Sequence, residues 1–295
     1  MNPTSQTNSQ HFDYDTAFSR NIGWVTSEEQ KTLSRVKIAL PGLGGVGGHH
    51  FHNFLRLGVQ HFHIADFDTF SLSNFNRQLG ARCDTIGQSK VEAMTELAKS
   101  INPNSTIKTF PEGVTPENSQ AFLEGVDLIV DTLDLFAMDI RIHLYDLAHQ
   151  LGIPMITAGP FGMGTSVMAF SPSGPIFSDF FDLKGEGLTV NQQILRFIST
   201  LTPVDILLKS YLVADEGINS NEKRLPSLNV GCDAAAAALG SLALKILLKR
   251  PNILWAPKGF YVDFYLHRSK IIHAPFGAKG WRQRLKLRAL EKRFA

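Results

Sequence analysis

The chain has 295 residues, of which 43% are hydrophobic and 19% are charged, and its formal net charge is +2. This composition excludes a disordered protein, a collagen-like fibre and a disulfide-stabilised miniprotein, because a chain of this length can bury most of its apolar surface. Cys83 and Cys232 are too few for a four-cysteine zinc site or a disulfide framework. They indicate a reducing compartment, and we expect a cytoplasmic protein.

The two ends of the chain differ from the rest. Residues 1–11 are polar, lack the basic and apolar regions of a signal peptide, and are predicted to be disordered. Residues 279–295 form a basic tail with seven Lys or Arg and one acid, so the remaining residues carry a net charge of −4. Such a tail can bind nucleic acid, anionic lipid or an acidic partner, but we favour the solvated face of a last helix. No apolar run is long enough to cross a bilayer, and we predict no membrane contact.

Strand and helix patterns alternate through the first half of the chain. After an arm with short helical turns at 12–34, the predicted elements are strands at 36–40, 61–65, 105–110, 126–130 and 153–157 and helices at 47–57, 88–101 and 138–151. This order predicts an α/β fold, with a Rossmann-like, doubly wound and mainly parallel sheet.

The second half of the chain has a different pattern. The predicted elements are helices at 190–200, 203–213 and 234–249, strands at 165–170, 260–266 and 270–273, and a polar loop at 215–229. The last strands predict a C-terminal antiparallel extension of the sheet. We expect a single domain over 12–278, with a core at 35–160 and a second half at 161–278.

A glycine-rich turn joins the first predicted strand to its helix. Gly42, Gly44 and Gly47 form the pattern G-x-G-x-x-G, and Gly45 is a further residue without a side chain. Such a backbone can approach a phosphate closely, and the helix N-terminus offers free N–H groups. Asp66 follows 19 residues after Gly47, where an acid accepts hydrogen bonds from ribose hydroxyls. The pattern predicts a nucleotide site, and it leaves an NAD(P)-dependent oxidoreductase as one alternative.

Polar residues that follow Asp66 favour a triphosphate over a dinucleotide. They are Asn74, Arg77 and Lys90. Arginine and lysine neutralise phosphate oxygens and asparagine supplies an uncharged donor, whereas a hydride-transfer site does not need these groups here. Asp134 follows the strand at 126–130 and can hold Mg²⁺ through a carboxylate oxygen.

The sequence resembles the ubiquitin-activating-enzyme-like adenylyltransferases of the ThiF and MoeB type. The resemblance rests on four elements in this order: GLGGVG, DFDxxxxSNxxRQ, GxxK and an apolar strand that ends in DxxD. The resemblance implies an enzyme that uses ATP and Mg²⁺ to convert a carboxylate into an acyl-adenylate with release of pyrophosphate. The implied substrate is the C-terminus of a small ubiquitin-like or sulfur-carrier protein, a peptide or a small carboxylate. The resemblance also implies a homodimer in which Arg20 reaches the ATP of the opposite subunit.

The resemblance also implies a role for each matching residue. It implies that the region 35–160 is the nucleotide-binding core and that the region 161–278 is the half that covers the substrate. The backbone of the glycine turn contacts the nucleotide, an acid binds the ribose, and cationic and amide side chains hold the phosphates. These roles fall on Gly42, Gly44, Gly45 and Gly47 for the turn, Asp66 for the ribose, Asn74, Arg77 and Lys90 for the phosphates, and Asp134 for Mg²⁺, and Asp68 is a further cofactor-binding residue.

The chain departs from the family pattern at several positions. Leu135 replaces the asparagine that often follows the metal-binding aspartate, which supports a non-catalytic pseudo-enzyme subunit as a second alternative. The two Cys-x-x-Cys pairs of many relatives are absent, so we expect no zinc.

The cysteines and histidines leave further alternatives. Cys232, at a predicted helix start that would lower its pKa, is a candidate nucleophile for a thioester, and Cys83 is a weaker one. A tRNA-modifying dehydratase of the same type would give the basic tail a function, although tRNA is not the favoured partner. The clustered His49, His50 and His52 are predicted to pack or face solvent rather than bind metal.

Overall fold

The computed structural model describes residues 12–203, 213 and 226–294. The strands in these ranges are β1 (Lys37–Leu40), β2 (His61–Ala65), β3 (Thr106–Phe110), β4 (Leu128–Asp131), β5 (Met155–Phe161), β6 (Gly164–Phe170), β7 (Lys258–Asp263) and β8 (Arg268–His273). The helices are α1 (Tyr14–Ala17), α2 (Ser27–Arg35), α3 (Gly45–Arg56), α4 (Lys90–Ile101), α5 (Ser119–Phe122), α6 (Met138–Gln150), α7 (Phe177–Phe180), α8 (Val190–Leu201), α9 (Asn229–Leu247) and α10 (Trp281–Phe294).

The strands pair into one sheet in the order β3-β2-β1-β4-β5-β6-β7-β8. Strands β3, β2, β1, β4 and β5 are parallel to their neighbours, and β5, β6, β7 and β8 pair antiparallel. The predicted fold class, a mainly parallel Rossmann-like sheet with an antiparallel C-terminal extension, is therefore confirmed.

Hydrophobic side chains cover the sheet on both faces. Alternate residues of the central strands enter different clusters: Ile38 and Leu40 pack with α3, α4 and α9, whereas Ala39 packs with α6, α7 and α8. All four residues of β4 are buried, which explains why its sequence reads as a continuous apolar run rather than an alternating one.

The main departures from the predicted elements are in the second half. Helix α9 begins at Asn229, five residues before the predicted start, so the end of the predicted loop leads directly into the helix. Most of the predicted helix at 203–213 and of the predicted loop at 215–229 lies outside the described residues. Helix α9 is long and apolar enough to cross a bilayer by length and composition alone, but it packs against α3, β5 and β6.

The basic tail forms helix α10. Gln283 and Leu290 are buried, and Lys286 donates a hydrogen bond to the carbonyl oxygen of Thr202 at 3.1 Å. Most of its charged side chains are exposed: Arg282, Arg284, Arg288, Glu291 and Lys292. The tail therefore has the solvated outer face that the sequence favours.

Candidate nucleotide-binding site

The predicted site residues converge at the carboxyl ends of β1, β2 and β4. Strand β1 lies between β2 and β4 in the sheet, and the chain continues from β1 to one side and later returns on the other. In open parallel sheets, this reversal of strand order leaves a crevice where ligands bind. The glycine turn follows β1, the Asp66 loop follows β2 and the Asp134 loop follows β4, so the three loops border one crevice.

Two glycines of the turn are required by close backbone packing. A Cβ atom on Gly42 would lie 2.4 Å from the carbonyl oxygen of Thr132, and one on Gly47 would lie 2.0 Å from the carbonyl oxygen of Gly42. Both distances are shorter than any real Cβ contact. A side chain at either position would therefore force the turn away from the loop after β4.

The other two glycines present bare backbone beside the crevice. A Cβ atom on Gly44 would meet no atom closer than Gln78 Nε2 at 3.9 Å, and one on Gly45 would meet Cys232 Sγ at 3.4 Å and Arg77 Cγ at 3.8 Å. Gly44 is the N-cap of α3, and the helix begins at Gly45. Free N–H groups and the positive end of the helix dipole therefore lie at this turn.

The charged groups of the loop after β2 are paired with one another and with the glycine turn. Asp66 Oδ2 accepts a hydrogen bond from the Leu43 N–H of the glycine turn at 2.8 Å, and Oδ1 accepts one from the Asp68 N–H at 2.9 Å. The buried Lys90 Nζ lies 2.9 Å from Asp68 Oδ2 and 3.8 Å from Asp66 Oδ1. Burial raises the pKa of Asp66, while Lys90 and the two N–H donors oppose that rise. Asp66 therefore fixes the glycine turn, and Lys90 provides a cation at its side.

Asn74 and Arg77 lie on a short segment with unused donors. Asn74 Oδ1 accepts a hydrogen bond from the Ser71 N–H at 3.0 Å, and Arg77 Nη1 donates to the Ser73 carbonyl oxygen at 3.1 Å and to Asn76 Oδ1 at 3.0 Å. Among the described residues, the Asn74 amide nitrogen and Arg77 Nε and Nη2 have no hydrogen-bond partner. These groups can donate to an anion bound against the turn.

The loop after β4 holds Asp134 at the surface. Asp134 is exposed, and its Oδ1 accepts a main-chain hydrogen bond from two residues further on at 2.9 Å. Beneath the loop, Arg141 Nε lies 3.3 Å from both carboxylate oxygens of the buried Asp131. The same guanidinium donates to the carbonyl oxygens of Leu133 at 2.7 Å and Leu135 at 3.4 Å. Arg141 therefore fixes the main chain on both sides of Asp134.

The two cysteines occupy different environments. Cys232 is buried in the first turn of α9, with its sulfur next to Gly45 and Arg77, whereas Cys83 is exposed. Burial raises the pKa of the Cys232 thiol, and a hydrogen bond with Ser227 and the charge of Arg77 only partly oppose this. The prediction that the helix N-terminus lowers this pKa is therefore wrong in direction, because desolvation has the larger effect.

Comparison with known proteins decides the family to which the chain belongs. The ThiF family model matches residues 18–275. The chain belongs to the ThiF family. This match confirms the resemblance that the glycine turn, the Asn74 to Arg77 segment, Lys90 and Asp134 indicate in the sequence.

Curated relatives of this ThiF-family chain have several named activities. The tRNA threonylcarbamoyladenosine dehydratase of Haemophilus influenzae is 34% identical over 123 residues, which are 41% of this chain and 47% of the relative. The molybdopterin-synthase adenylyltransferase of the same organism is 29% identical over 162 residues, which are 54% of this chain and 65% of the relative. The chain thus spans about half the length of the curated relatives it matches first.

Solved structures of similar fold include PaaA, with a TM-score of 0.65 and 18% identity over 92% of this chain and 76% of that chain. The Escherichia coli tRNA N6-threonylcarbamoyladenosine dehydratase TcdA in complex with ATP has a TM-score of 0.60 and 19% identity over 80% of this chain and 95% of that chain. Identities this low establish a shared fold, and they do not transfer an activity.

Arg20 is the predicted site residue that the structure does not bring to the crevice. Its segment packs at the far end of α3, where Asn21 and Gln30 donate to the carbonyl oxygen of Leu57. The twelve residues of α3 separate this end from Gly45 by about 18 Å. Within one chain of this ThiF-family protein, Arg20 therefore lies away from the nucleotide site.

The structure also reveals site neighbours whose roles the sequence analysis missed. Gln78 follows Arg77 directly, and its Oε1 atom is buried without a partner among the described residues, as is Thr132 Oγ1 beside the turn. Arg141 supports the Asp134 loop, and His49 joins the turn helix to Asp233. Gln78 is part of the DFDxxxxSNxxRQ motif, so the sequence could have indicated it. No motif or spacing in the sequence indicates the roles of Thr132, Arg141 and His49.

Proposed function

We propose that this protein is an ATP-dependent adenylyltransferase that activates a carboxylate. The observation that carries the proposal is the convergence on one crevice of a bare glycine turn, unpaired donors of Arg77, the cation of Lys90 and the exposed carboxylate of Asp134. A triphosphate needs all four, whereas a nicotinamide dinucleotide accounts for the turn alone. Family membership supports the same conclusion.

Two orphaned polar atoms support a polar ligand at this turn. Gln78 Oε1 and Thr132 Oγ1 are buried, and no described residue bonds to them. A buried polar atom without a partner costs free energy, so such atoms are uncommon unless a ligand or water completes them. Both residues lie against glycines of the turn, where the proposed nucleotide binds.

The proposed reaction is attack by a substrate carboxylate on the α-phosphate of ATP, which gives an acyl-adenylate and pyrophosphate. A carboxylate is already ionised near neutral pH, so no general base is required. Arg77 and Lys90 neutralise charge that develops on the phosphates, and Asp134 would hold Mg²⁺. Mg²⁺ often uses only one or two protein carboxylates when phosphates complete its shell. Since burial raises the pKa of Cys232, we propose that the adenylate passes to an acceptor other than this thiol.

Equilibrium binding distinguishes this proposal from its alternatives. We expect calorimetry to show binding of Mg-ATP, weaker binding without Mg²⁺, and no binding of NAD or NADP. Binding of NAD(P) in place of ATP would favour the oxidoreductase. Failure to bind either nucleotide would favour a non-catalytic partner subunit of the same fold.

We also propose a homodimer whose partner supplies Arg20. Exposed apolar residues lie on both segments beside the site: Leu72, Phe75, Leu228 and Val230. If Arg20 acts in trans, mixing the inactive Arg20→Ala and Arg77→Ala variants creates one complete site in each mixed dimer. Random exchange of subunits then restores about a quarter of the wild-type activity. If activity is not restored although exchange of subunits is confirmed, then Arg20 either takes no part in the reaction or acts on the site of its own subunit.

RNA is a second candidate substrate class, and helix α10 is the observation that favours it. Arg282, Arg284 and Arg288 are exposed on this helix, and the Arg282 guanidinium stacks on the 66% exposed Trp281. Arginine and aromatic side chains together suit phosphates and unstacked bases. We expect a tRNA pool to bind with steep salt dependence and the double variant Arg284→Glu, Arg288→Glu to lose that binding. Equal binding of polyglutamate would show that only negative charge is recognised.

A further inference from the structure

His49 connects two parts of the site that are distant in sequence. It lies in α3, five residues into the helix, and is buried. Its Nδ1 atom is 2.8 Å from Asp233 Oδ1, in the first turns of α9, and its Nε2 atom is 3.2 Å from the Arg77 carbonyl oxygen. The ring therefore spans the gap between the start of α9 and the phosphate-binding segment.

Both partners of His49 are hydrogen-bond acceptors. A carbonyl oxygen only accepts, and an ionised carboxylate only accepts. Each ring nitrogen of His49 therefore faces an acceptor, so the ring can donate a hydrogen bond to either partner. The contact with Asp233 has a charged acceptor, and such a hydrogen bond is stronger than a neutral one.

The surrounding contacts join the same two segments. Asp233 also accepts a hydrogen bond from Asn229 Nδ2 at 2.7 Å, which orients its carboxylate within α9. Asn76, next to Arg77, donates through Nδ2 to the Ser227 carbonyl oxygen at 2.8 Å. Two connections thus join the start of α9 to the Arg77 segment. One runs through the buried His49, and the other is the hydrogen bond between Asn76 and Ser227.

We infer that His49 and Asp233 form a positioning pair that holds the main chain of Arg77 in the place where its guanidinium meets the nucleotide phosphates. The inference rests on the proposed function for the role of Arg77. Loss of the pair frees the Arg77 carbonyl and loosens α9 from the segment. A small displacement of a phosphate-binding group is sufficient to reduce binding and rate.

The test compares His49→Ala, Asp233→Ala and the double variant with a matched control, His52→Ala, which lies on the same helix and contacts Arg56 rather than Arg77. We expect each single variant to weaken ATP binding by about tenfold to a hundredfold while adenosine binding stays unchanged, because adenosine has no phosphate for Arg77. The double variant should be no weaker than the single variants, and His52→Ala should match the wild type.

The inference is overturned if His49→Ala binds ATP as the wild type does, if it loses ATP and adenosine equally, or if the two substitutions are additive. A second readout needs no nucleotide. In a Cys83→Ser background, His49→Ala should accelerate alkylation of Cys232, because the start of α9 loses its attachment. If the wild type fails to bind ATP but alkylation accelerates, the proposed function fails and the positioning pair remains. If alkylation does not change, the pair fails.

Discussion

The loop after β2 and the loop after β4 both bring carboxylates to the site, but they are stabilised differently. After β2, Lys90 neutralises Asp66 and Asp68 within the site, and the Asp68 side chain is 55% exposed. After β4, Asp134 faces solvent without an ion-pair partner among the described residues. A buried Arg141–Asp131 pair stabilises that loop from below.

This difference assigns separate roles to the two acids of the DxxD pattern. Asp131 accepts hydrogen bonds from Tyr145 at 2.5 Å and from Thr157 at 2.8 Å, and it is buried. It is thus a structural group, whereas Asp134 is free to bind a ligand. The chain after β2 thus provides carboxylates that are paired with Lys90, and the loop after β4 provides an unpaired carboxylate.

The largest expected effect is on stability, in the loop after β4. Arg141→Met removes one partner of a buried ion pair and leaves the Asp131 charge with fewer partners, so we expect the free energy of unfolding to fall by about 3–5 kcal/mol. Urea unfolding measures this change. The double variant Arg141→Met, Asp131→Leu should recover part of the loss. A single variant as stable as the wild type would contradict the supporting role of the pair.

Asp134→Ala should instead remove activity without loss of stability. We expect pyrophosphate exchange to fall by about a hundredfold or more, as it should for Arg77→Ala, because each group acts on charge that develops in the transition state. The melting temperature should not change, since Asp134 is exposed. Asp139→Ala, an exposed acid five residues further on, is the control and should exchange normally.

His50 in α3 and Asp131 are both buried polar groups, but they differ in their partners. The His50 ring has no hydrogen-bond partner among the described residues, whereas Asp131 is bonded to Arg141, Tyr145 and Thr157. Burial lowers the pKa of His50 to about 3, against about 6.5 in the unfolded chain. Between these values the unfolded chain binds the proton, so stability is complete above pH 6.5 and falls as the pH is lowered. At pH 5 the loss is about 2 kcal/mol relative to pH 7.5. Urea unfolding at the two pH values should show that His50→Leu loses less free energy of unfolding than the wild type, by about that amount. An equal loss in both proteins would contradict the role of His50 in this pH dependence.

A smaller loss of stability than for Arg141→Met is expected in the loop after β2. Lys90→Met removes a cation beside the buried Asp66, but the Leu43 and Asp68 N–H groups still donate to that carboxylate, and Asp68 is half-exposed. We therefore expect the free energy of unfolding to fall by less than for Arg141→Met. ATP binding should weaken nonetheless, because a phosphate partner is lost. If Lys90→Met destabilised the fold as much as Arg141→Met, the distinction between the two loops would not hold.

The sequence predicted the parts of the site that local patterns determine. The glycine turn, Asp66 and the alternation of strands and helices follow from short-range spacing and hydrophobic periodicity. The contacts of His49 with Asp233 and of Arg141 with the Asp134 loop did not follow, because they depend on how separate helices pack. The Cys232 pKa was predicted in the wrong direction for the same reason. The helix start is local, but the burial that outweighs it is tertiary.

Pyrophosphate exchange tests the central proposal most directly. The purified protein is incubated with Mg-ATP, labelled pyrophosphate and candidate carboxylates, including small proteins that end in Gly-Gly. We expect label to enter ATP only when a suitable carboxylate is present, and this incorporation to disappear in Asp134→Ala and Arg77→Ala. Exchange at the wild-type rate in either variant would contradict the assigned site. No exchange with any carboxylate, in protein that binds Mg-ATP, would contradict the proposed adenylation.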